Sequence, residues 1–182
     1  CWQNPQWIPL DFGVSPGGMK MFREQLGGDV DIVSHFRFDA RWFGPSAGTR
    51  RSTPDWRARY YADGSLPTNA VIEAEWGVAQ VCYPESDDAQ TFHPLRRIAS
   101  EADLEAYPWP DDVGAPSRYA GVAERVRAAQ ADGYAAYGCG LNFFEHPWAL
   151  TGFEEMLAAM ATGECWAQRL FARHADDLVR TA

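Results

Sequence analysis

Apolar positions along this chain fall into short blocks whose period switches between that of a strand and that of a helix. Residues 7–12, "WIPLDF", form an apolar run that ends in Asp11 and meets the breaker "GVSPGG", which predicts a strand delivering a carboxylate into a loop. In "MKMFREQLGG", Met19, Phe22 and Leu26 recur at helical spacing, and Gly27 and Gly28 give a stop. Residues 30–36, "VDIVSHF", read as a second strand, extended by "RFDARWF". Residues 44–69 are polar and rich in Gly, Pro, Ser, Thr and Arg, and are expected to form one long loop of a functional kind. Residues 70–83 have β-rich halves around Trp76-Gly77, which predicts a hairpin or a bulged strand.

Further along, "SEADLEAYPWPDD" carries its own punctuation. Ser100 is placed to cap a short helix, Asp103 stands at the reciprocal position, and Pro108 and Pro110 prevent continuation. Residues 117–131 put Tyr119, Val122, Ala123 and Val126 on one stripe of an amphipathic helix. "GYAAYGCG" returns to strand character. From Trp148 onward, Ala149, Phe153, Met156, Leu157 and Met160 repeat at helical spacing and predict one inward face. A last helix after "TGE" has Trp166, Leu170, Phe171 and Leu178 on its apolar side, with His174 at the edge of that stripe. Three or four strand-helix units in alternation argue for an α/β fold with a parallel sheet. A complete eight-unit barrel needs ~250 residues, so the pattern fits about half of one, or an open doubly wound sheet.

Composition narrows the function classes. The 182 residues are 46% hydrophobic and 23% charged, as in a single globular domain spanning 1–182. The net charge is −9, and the cations, 15 arginines and Lys20, form no basic run. Nucleic acid is therefore not an expected partner, because phosphate neutralisation needs a concentrated positive face. No apolar stretch approaches the ~18 residues of a membrane span and no basic leader precedes one, so the expected location is cytoplasmic, away from membranes. Cys1, Cys82, Cys139 and Cys165 are far apart, which predicts reduced, partly buried thiols. No His-Cys spacing suits a metal, so none is expected within this chain.

In α/β architectures ligands bind at the C-terminal ends of strands, and three clusters of candidate residues fall there. Asp11 precedes Phe12-Gly13, where little side-chain bulk blocks a ligand; the ordinary alternative is a local Asx-turn. In an extended "HFRFDAR", His35, Arg37, Asp39 and Arg41 share one face. The arginines would then clamp a carboxylated substrate while Asp39 accepts a hydrogen bond or relays a proton, against the plainer reading of a loop ion pair. Glu145 and His146 stand just ahead of Pro147 at a helix start. Glu145 suits a general base or a helix-capping carboxylate, and His146 a catalytic or an ordinary surface residue.

Four stretches carry a likeness: "IPLDFG" at the start, "EAEWGV" at 73–78, "TFHPLRRIASEADLEAYPWPD" at 91–111 and "GLNFFEHPWALTGFEEML" at 140–157. In this order and spacing they resemble the N-terminal half of the uroporphyrinogen decarboxylase superfamily, which includes the corrinoid and coenzyme M methyltransferases. The resemblance implies a (β/α)8 TIM barrel of which this chain covers the N-terminal half, the remainder lying in a longer protein. It implies that Asp11, Asp39 and Glu145 line the barrel mouth; these three are our candidate catalytic groups, with His35, Arg37, Arg41, Trp76, Phe144 and His146 as candidate substrate contacts. Zinc, where the family uses it, is held by His-x-Cys and Cys ligands in the C-terminal half. The decarboxylases' arginine-rich signature after the first strand is replaced here by "PLDFGVSPGG", which has no arginine. The expected activity is therefore methyl transfer or demethylation on a small or corrinoid-bound methyl group, with uroporphyrinogen decarboxylation as the alternative. Expected partners are a small-molecule, corrinoid or tetrapyrrole substrate, a corrinoid protein, and a second copy in a homodimer. From a different class comes a non-catalytic half-barrel that binds or assembles through its exposed sheet edges.

Overall fold

The computed structural model describes residues 10–11, 13–28, 30–46, 53–83, 89–140 and 142–181. In chain order the elements are α1 (Pro16–Leu26), α2 (Ile32–His35), β1 (Ala40–Phe43), α3 (Trp56–Tyr60), β2 (Val71–Ile72), β3 (Ala79–Cys82), β4 (Ala89–Phe92), α4 (Glu101–Glu105), a 3-10 turn (Pro116–Tyr119), α5 (Val122–Ala131), β5 (Ala135–Gly138), α6 (Glu145–Thr151), α7 (Phe153–Thr162) and α8 (Cys165–Thr181). They form two compact units: Cys1–Pro45 with Tyr83–Asp87 and Tyr119–Cys139, and Ser46–Cys82 with Asp88–Arg118 and Gly140–Ala182. The class is mixed α/β, with one parallel and one antiparallel sheet and no closed barrel among the described residues. No helix of the described residues is long and apolar enough to cross a membrane.

In the first unit, β1 and β5 pair in parallel, Ala40 opposite Ala135 and Phe43 opposite Gly138. Trp42 and Tyr137, opposite one another, stack at 5.1 Å. The helix α5, which leads into β5, packs on both strands. Its stripe is shallower than its periodicity predicts: Val122 and Val126 are half-buried, Ala123 is exposed, and Gly121 at φ 75° separates Tyr119 from the helix. The strand expected over 7–12 lies outside the described residues, apart from Leu10 and Asp11.

Residues 30–36 are not a strand. Asp31 accepts from Val33 N at 3.1 Å and from Ser34 Oγ at 2.5 Å, and this local cap nucleates the helical turn α2 despite the β-branched Ile32 and Val33. The turn closes when Phe38 N donates to Val33 O at 2.9 Å and Arg37 N donates to Ser34 O at 3.3 Å, with Arg37 in the left-handed region at φ 55°. This is the double hydrogen bond of a Schellman stop, carried here by an arginine in place of the usual glycine. Strand structure begins only at Ala40. His35, Arg37, Asp39 and Arg41 therefore do not share one extended face.

The second unit holds the larger apolar core, built from Trp56, Trp76, Leu95, Leu104, Tyr107, Leu150, Met156, Trp166 and Leu170 with their neighbours. The expected hairpin is present: β2 pairs antiparallel with β3, and β4, which the pattern did not announce, extends the sheet. Within the expected long loop 44–69, residues Trp56–Tyr60 form α3, started by Asp55 accepting from Ala58 N at 2.9 Å. The cap on α4 is the reciprocal one expected from Ser100 and Asp103. One apolar stripe from Trp148 to Met160 is not realised, because Gly152 at φ 111° breaks the run into α6 and α7. The change of direction buries Met156 and Ala159 and leaves Phe153, Leu157 and Met160 exposed. Cys82, Cys139 and Cys165 are free thiols, exposed and not partly buried as expected.

The hairpin turn explains the sequence "EAEWGV". The Glu73 carboxylate accepts from Glu75 N at 2.6 Å and Trp76 N at 2.5 Å, fixing the turn from inside. Gly77 sits at φ 75°, and a Cβ there would stand 2.5 Å from the Trp56 ring. Gly77→Ala combines backbone strain with a steric clash, and an unfolding free energy lower by about 3 kcal/mol is expected. Urea denaturation checks this: the midpoint should fall at constant slope.

Candidate functional site

Two places gather the residues that the sequence singles out. In the first unit, Asp11 lies alongside β1, where its Oδ2 accepts from Trp42 Nε1 at 3.1 Å. Asp39 faces the preceding residue: Leu10 N donates to Asp39 Oδ2 at 2.7 Å, and Asp39 N donates to Leu10 O at 2.8 Å. Two hydrogen bonds thus hold the segment that presents Asp11. Arg41 donates through Nη1 to the carbonyls of Phe38 and Ala40 at 2.7 and 2.8 Å and lies 3.6 Å over the Tyr134 ring. A cavity of about 460 Å³ is lined by Asp11 and Arg41 together with Met19, Ile32, Phe38 and Trp42. Asp11 is exposed and keeps acceptor capacity beyond the indole contact, so it can take a proton or a hydrogen bond from a group entering this cavity. Asp39 and Arg41 act mainly on the backbone. His35 packs edge-on against Phe36, and both His35 and Arg37 are exposed.

The second unit contains Glu145, His146, Phe144 and Trp76. Glu145 is exposed, and its Oε2 accepts from Asn142 Nδ2 at 2.9 Å. The backbone N–H groups of Phe144 and Glu145 are met by Asn142 Oδ1 at 3.3 and 3.4 Å, so the asparagine caps α6 and the glutamate does not. Phe144 stacks on Phe171 and packs against the core. His146 lies under Trp76, edge to face at 4.3 Å, with Trp76 itself buried.

The partner of His146 escaped the sequence reading. His174 on α8 stacks on His146 with ring centroids 5.0 Å apart and planes within 5°. His174 Nε2 lies 2.9 Å from Asn142 O, which can only accept, so the proton sits on Nε2. One helical turn on, the buried Asp177 lies 3.9 Å from Arg173 and 3.7 Å from Arg180, and Arg173 covers the Trp109 ring at 4.4 Å. The signal was the spacing Trp166, Leu170, His174, Asp177, a polar continuation of the apolar stripe of α8. Burial holds His146 down to about 4, and the repulsion it would meet from a protonated His174 is a smaller cause. Burial lowers His174 also, and it raises Asp177 against the pull of Arg173. The His146 Nε2 is sealed from solvent without a hydrogen-bond partner, which favours the neutral ring. This arrangement is a neutral, stacked histidine pair inside a hydrophobic core.

Among the described residues no group of three or more His, Cys, Asp or Glu side chains is placed to hold a metal ion. Comparison with protein-family models, with curated proteins and with solved structures gives no match.

The histidine pair predicts a pH dependence of stability. The unfolded chain protonates His146 near its ordinary 6.5, whereas the folded chain does so only near about 4. Protons therefore favour unfolding within this window, and stability falls as the pH drops through it. Asp177 works in the opposite sense, because its raised value makes the folded form the better proton acceptor. Replacing His146 by Phe keeps a ring under Trp76 and should flatten the slope, by on the order of 2 kcal/mol across the window. Urea midpoints of both proteins, measured through that pH range, give the answer; parallel curves contradict the assignment.

Proposed function

We propose that this chain is the N-terminal half of a (β/α)8 barrel enzyme of the uroporphyrinogen decarboxylase superfamily, acting in the cytoplasm in methyl transfer or demethylation. The observation that carries the reading is the place of Asp11: a solvent-accessible carboxylate, hydrogen-bonded by the Trp42 indole, at the edge of a cavity beside a strand of a parallel pair. A carboxylate with spare acceptor capacity at the edge of a cavity is a natural contact for a ligand. The absence of arginine from "PLDFGVSPGG" removes the counter-charge that a highly carboxylated tetrapyrrole needs, and supports the methyl-transfer branch over decarboxylation.

In the reaction the acceptor's nucleophilic atom gains the methyl carbon, the donor keeps the electron pair of the broken bond, and the acceptor's proton leaves. Asp11 receives that proton, and Met19, Ile32 and Phe38 give the cavity an apolar wall against which the methyl group packs. Glu145, held by Asn142, is a second carboxylate for orienting substrate. Zinc, in the branch that uses it, would be supplied by ligands outside this chain. No step here runs through a metal.

The test uses the full-length protein, given uroporphyrinogen in one assay and a methylated corrinoid with a thiol acceptor in another. Demethylation of the corrinoid, reduced about 100-fold by Asp11→Asn, is the expected result. Robust formation of coproporphyrinogen would overturn the preference.

One observation favours a second reading, that of a non-catalytic half-barrel assembling with another chain. Phe153, Leu157 and Met160 on α7 are 49%, 43% and 50% exposed. On that reading the chain self-associates and Leu157→Glu returns it to monomer; a monodisperse wild-type monomer in sedimentation velocity rules it out.

A further inference from the structure

We propose that the cleft beside the turn 93–97 in the second unit is a binding site for a small molecule bearing a carboxylate or a phosphate. Two cavities of about 380 and 400 Å³ share Tyr60, Asp63, Pro94 and Arg97, and Arg59 lines the one while His93 and Arg96 line the other. Consecutive residues usually point apart, yet Arg96 and Arg97 both border the second cavity. The turn that aims them is rigid: Leu95 N donates to Leu150 O at 2.8 Å, Ile98 N donates to Leu95 O at 3.0 Å, and Pro94 and Leu95 are buried. The turn fixes where both side chains start, and Asp63 holds the Arg97 guanidinium at 2.6 Å, which lowers the freedom lost on binding.

Donors exceed acceptors at this site. Asp63 is occupied: its Oδ1 accepts from Ser65 N and Oγ at 3.0 and 2.6 Å, and its Oδ2 accepts from Arg97 Nη2 at 2.6 Å. Ser65, foremost, and Arg97 hold the Asp63 carboxyl below its ordinary value, so it stays an anion. Asp103, at the far side of the first cavity, accepts from Ala99 N, Ser100 N and Ser100 Oγ. Arg96 Nε stands 3.6 Å from Glu155, beyond hydrogen-bond range, with 68% of its side chain exposed, and the Arg97 side chain is 80% exposed. His93, which lines the second cavity, is held in place by its Nδ1–H, which donates to Ala149 O at 2.8 Å. A planar oxyanion matches the fork of a guanidinium, and two forks on one turn suit a carboxylate or a phosphate. The three arginines are matched by Asp63, Asp103 and the Glu155 beside Arg96, so what the site offers an anion is unspent guanidinium N–H and not net charge. It uses no residue assigned to methyl transfer.

Titration calorimetry at low ionic strength, with inorganic phosphate and separately with succinate, tests the site and tells the two sources apart. At least one anion is expected to bind with a Kd of roughly 0.1–1 mM, weakening as salt is added. The pair Arg96→Gln and Arg97→Gln should weaken binding at least about tenfold. Asp63→Asn releases Arg97 and should tighten it several-fold, a gain that loss of structure would not produce. No binding of either anion below about 10 mM, or unchanged binding by the double arginine variant, overturns the proposal.

Discussion

The second unit depends on one buried carbonyl. The peptide oxygen of Trp76 lies inside the core at a hairpin turn, where water cannot reach it, and the Tyr107 hydroxyl donates to it. The amide N–H of the same residue is met by the Glu73 carboxylate. With both backbone groups satisfied, the indole can be buried against Trp109 on one side and His146 on the other. Tyr61, donating to the carbonyls of Gly77 and Phe92, ties this turn to the end of β4. Remove the Tyr107 hydrogen bond and an unsatisfied carbonyl is left in an aromatic core, which is why hairpin, α4 and α6 stand or fall together.

The same principle governs the charged groups taken inside. Arg118 and Glu75 form a two-point ion pair at 2.7 and 3.2 Å with only 10% and 12% of their side chains exposed, and Arg118 Nε also donates to Ser46 O. Such a pair adds little net stability over apolar packing, but it admits one geometry and so fixes how 46, 75 and 118 meet. The histidine pair is solved differently. Neutral rings bury without a counter-ion, and Asn142 ties α8 to the start of α6 by offering its carbonyl to His174 and its side chain to the first N–H groups of α6. Asn142 therefore does the capping that Glu145 was a candidate for, and the glutamate is left facing solvent.

Features governed by nearest neighbours were legible in the sequence. The Ser100–Asp103 box, the Trp76-Gly77 hairpin and the apolar face of α8 all depend on residues within a few positions of one another. Where reading failed, a competing local contact or a single dihedral won. Asp31 overrode two β-branched residues, and Gly152 turned α7 so that three of five periodic apolar positions face out. The candidate site divided in the same way. Asp11 was found because a carboxylate before a glycine loop is visible in sequence, while the His146–His174 stack joins residues 28 positions apart that no spacing rule connects.

The structure also redistributes the weight of the family likeness. In "EAEWGV", Glu73 caps a turn, Glu75 pairs with Arg118, Trp76 fills the core and Gly77 makes room for Trp56. In "HPLRRIASEADLEAYPWPD", Leu95, Leu104 and Tyr107 are core, and Ser100 with Asp103 start a helix. Residues whose types are demanded by packing carry information about fold and little about chemistry. Chemistry must then be sought where packing makes no demand. Asp11 meets that condition, since its carboxylate is exposed and bonds an indole that is itself exposed, whereas Trp76 and His146 are fully explained by the core they complete.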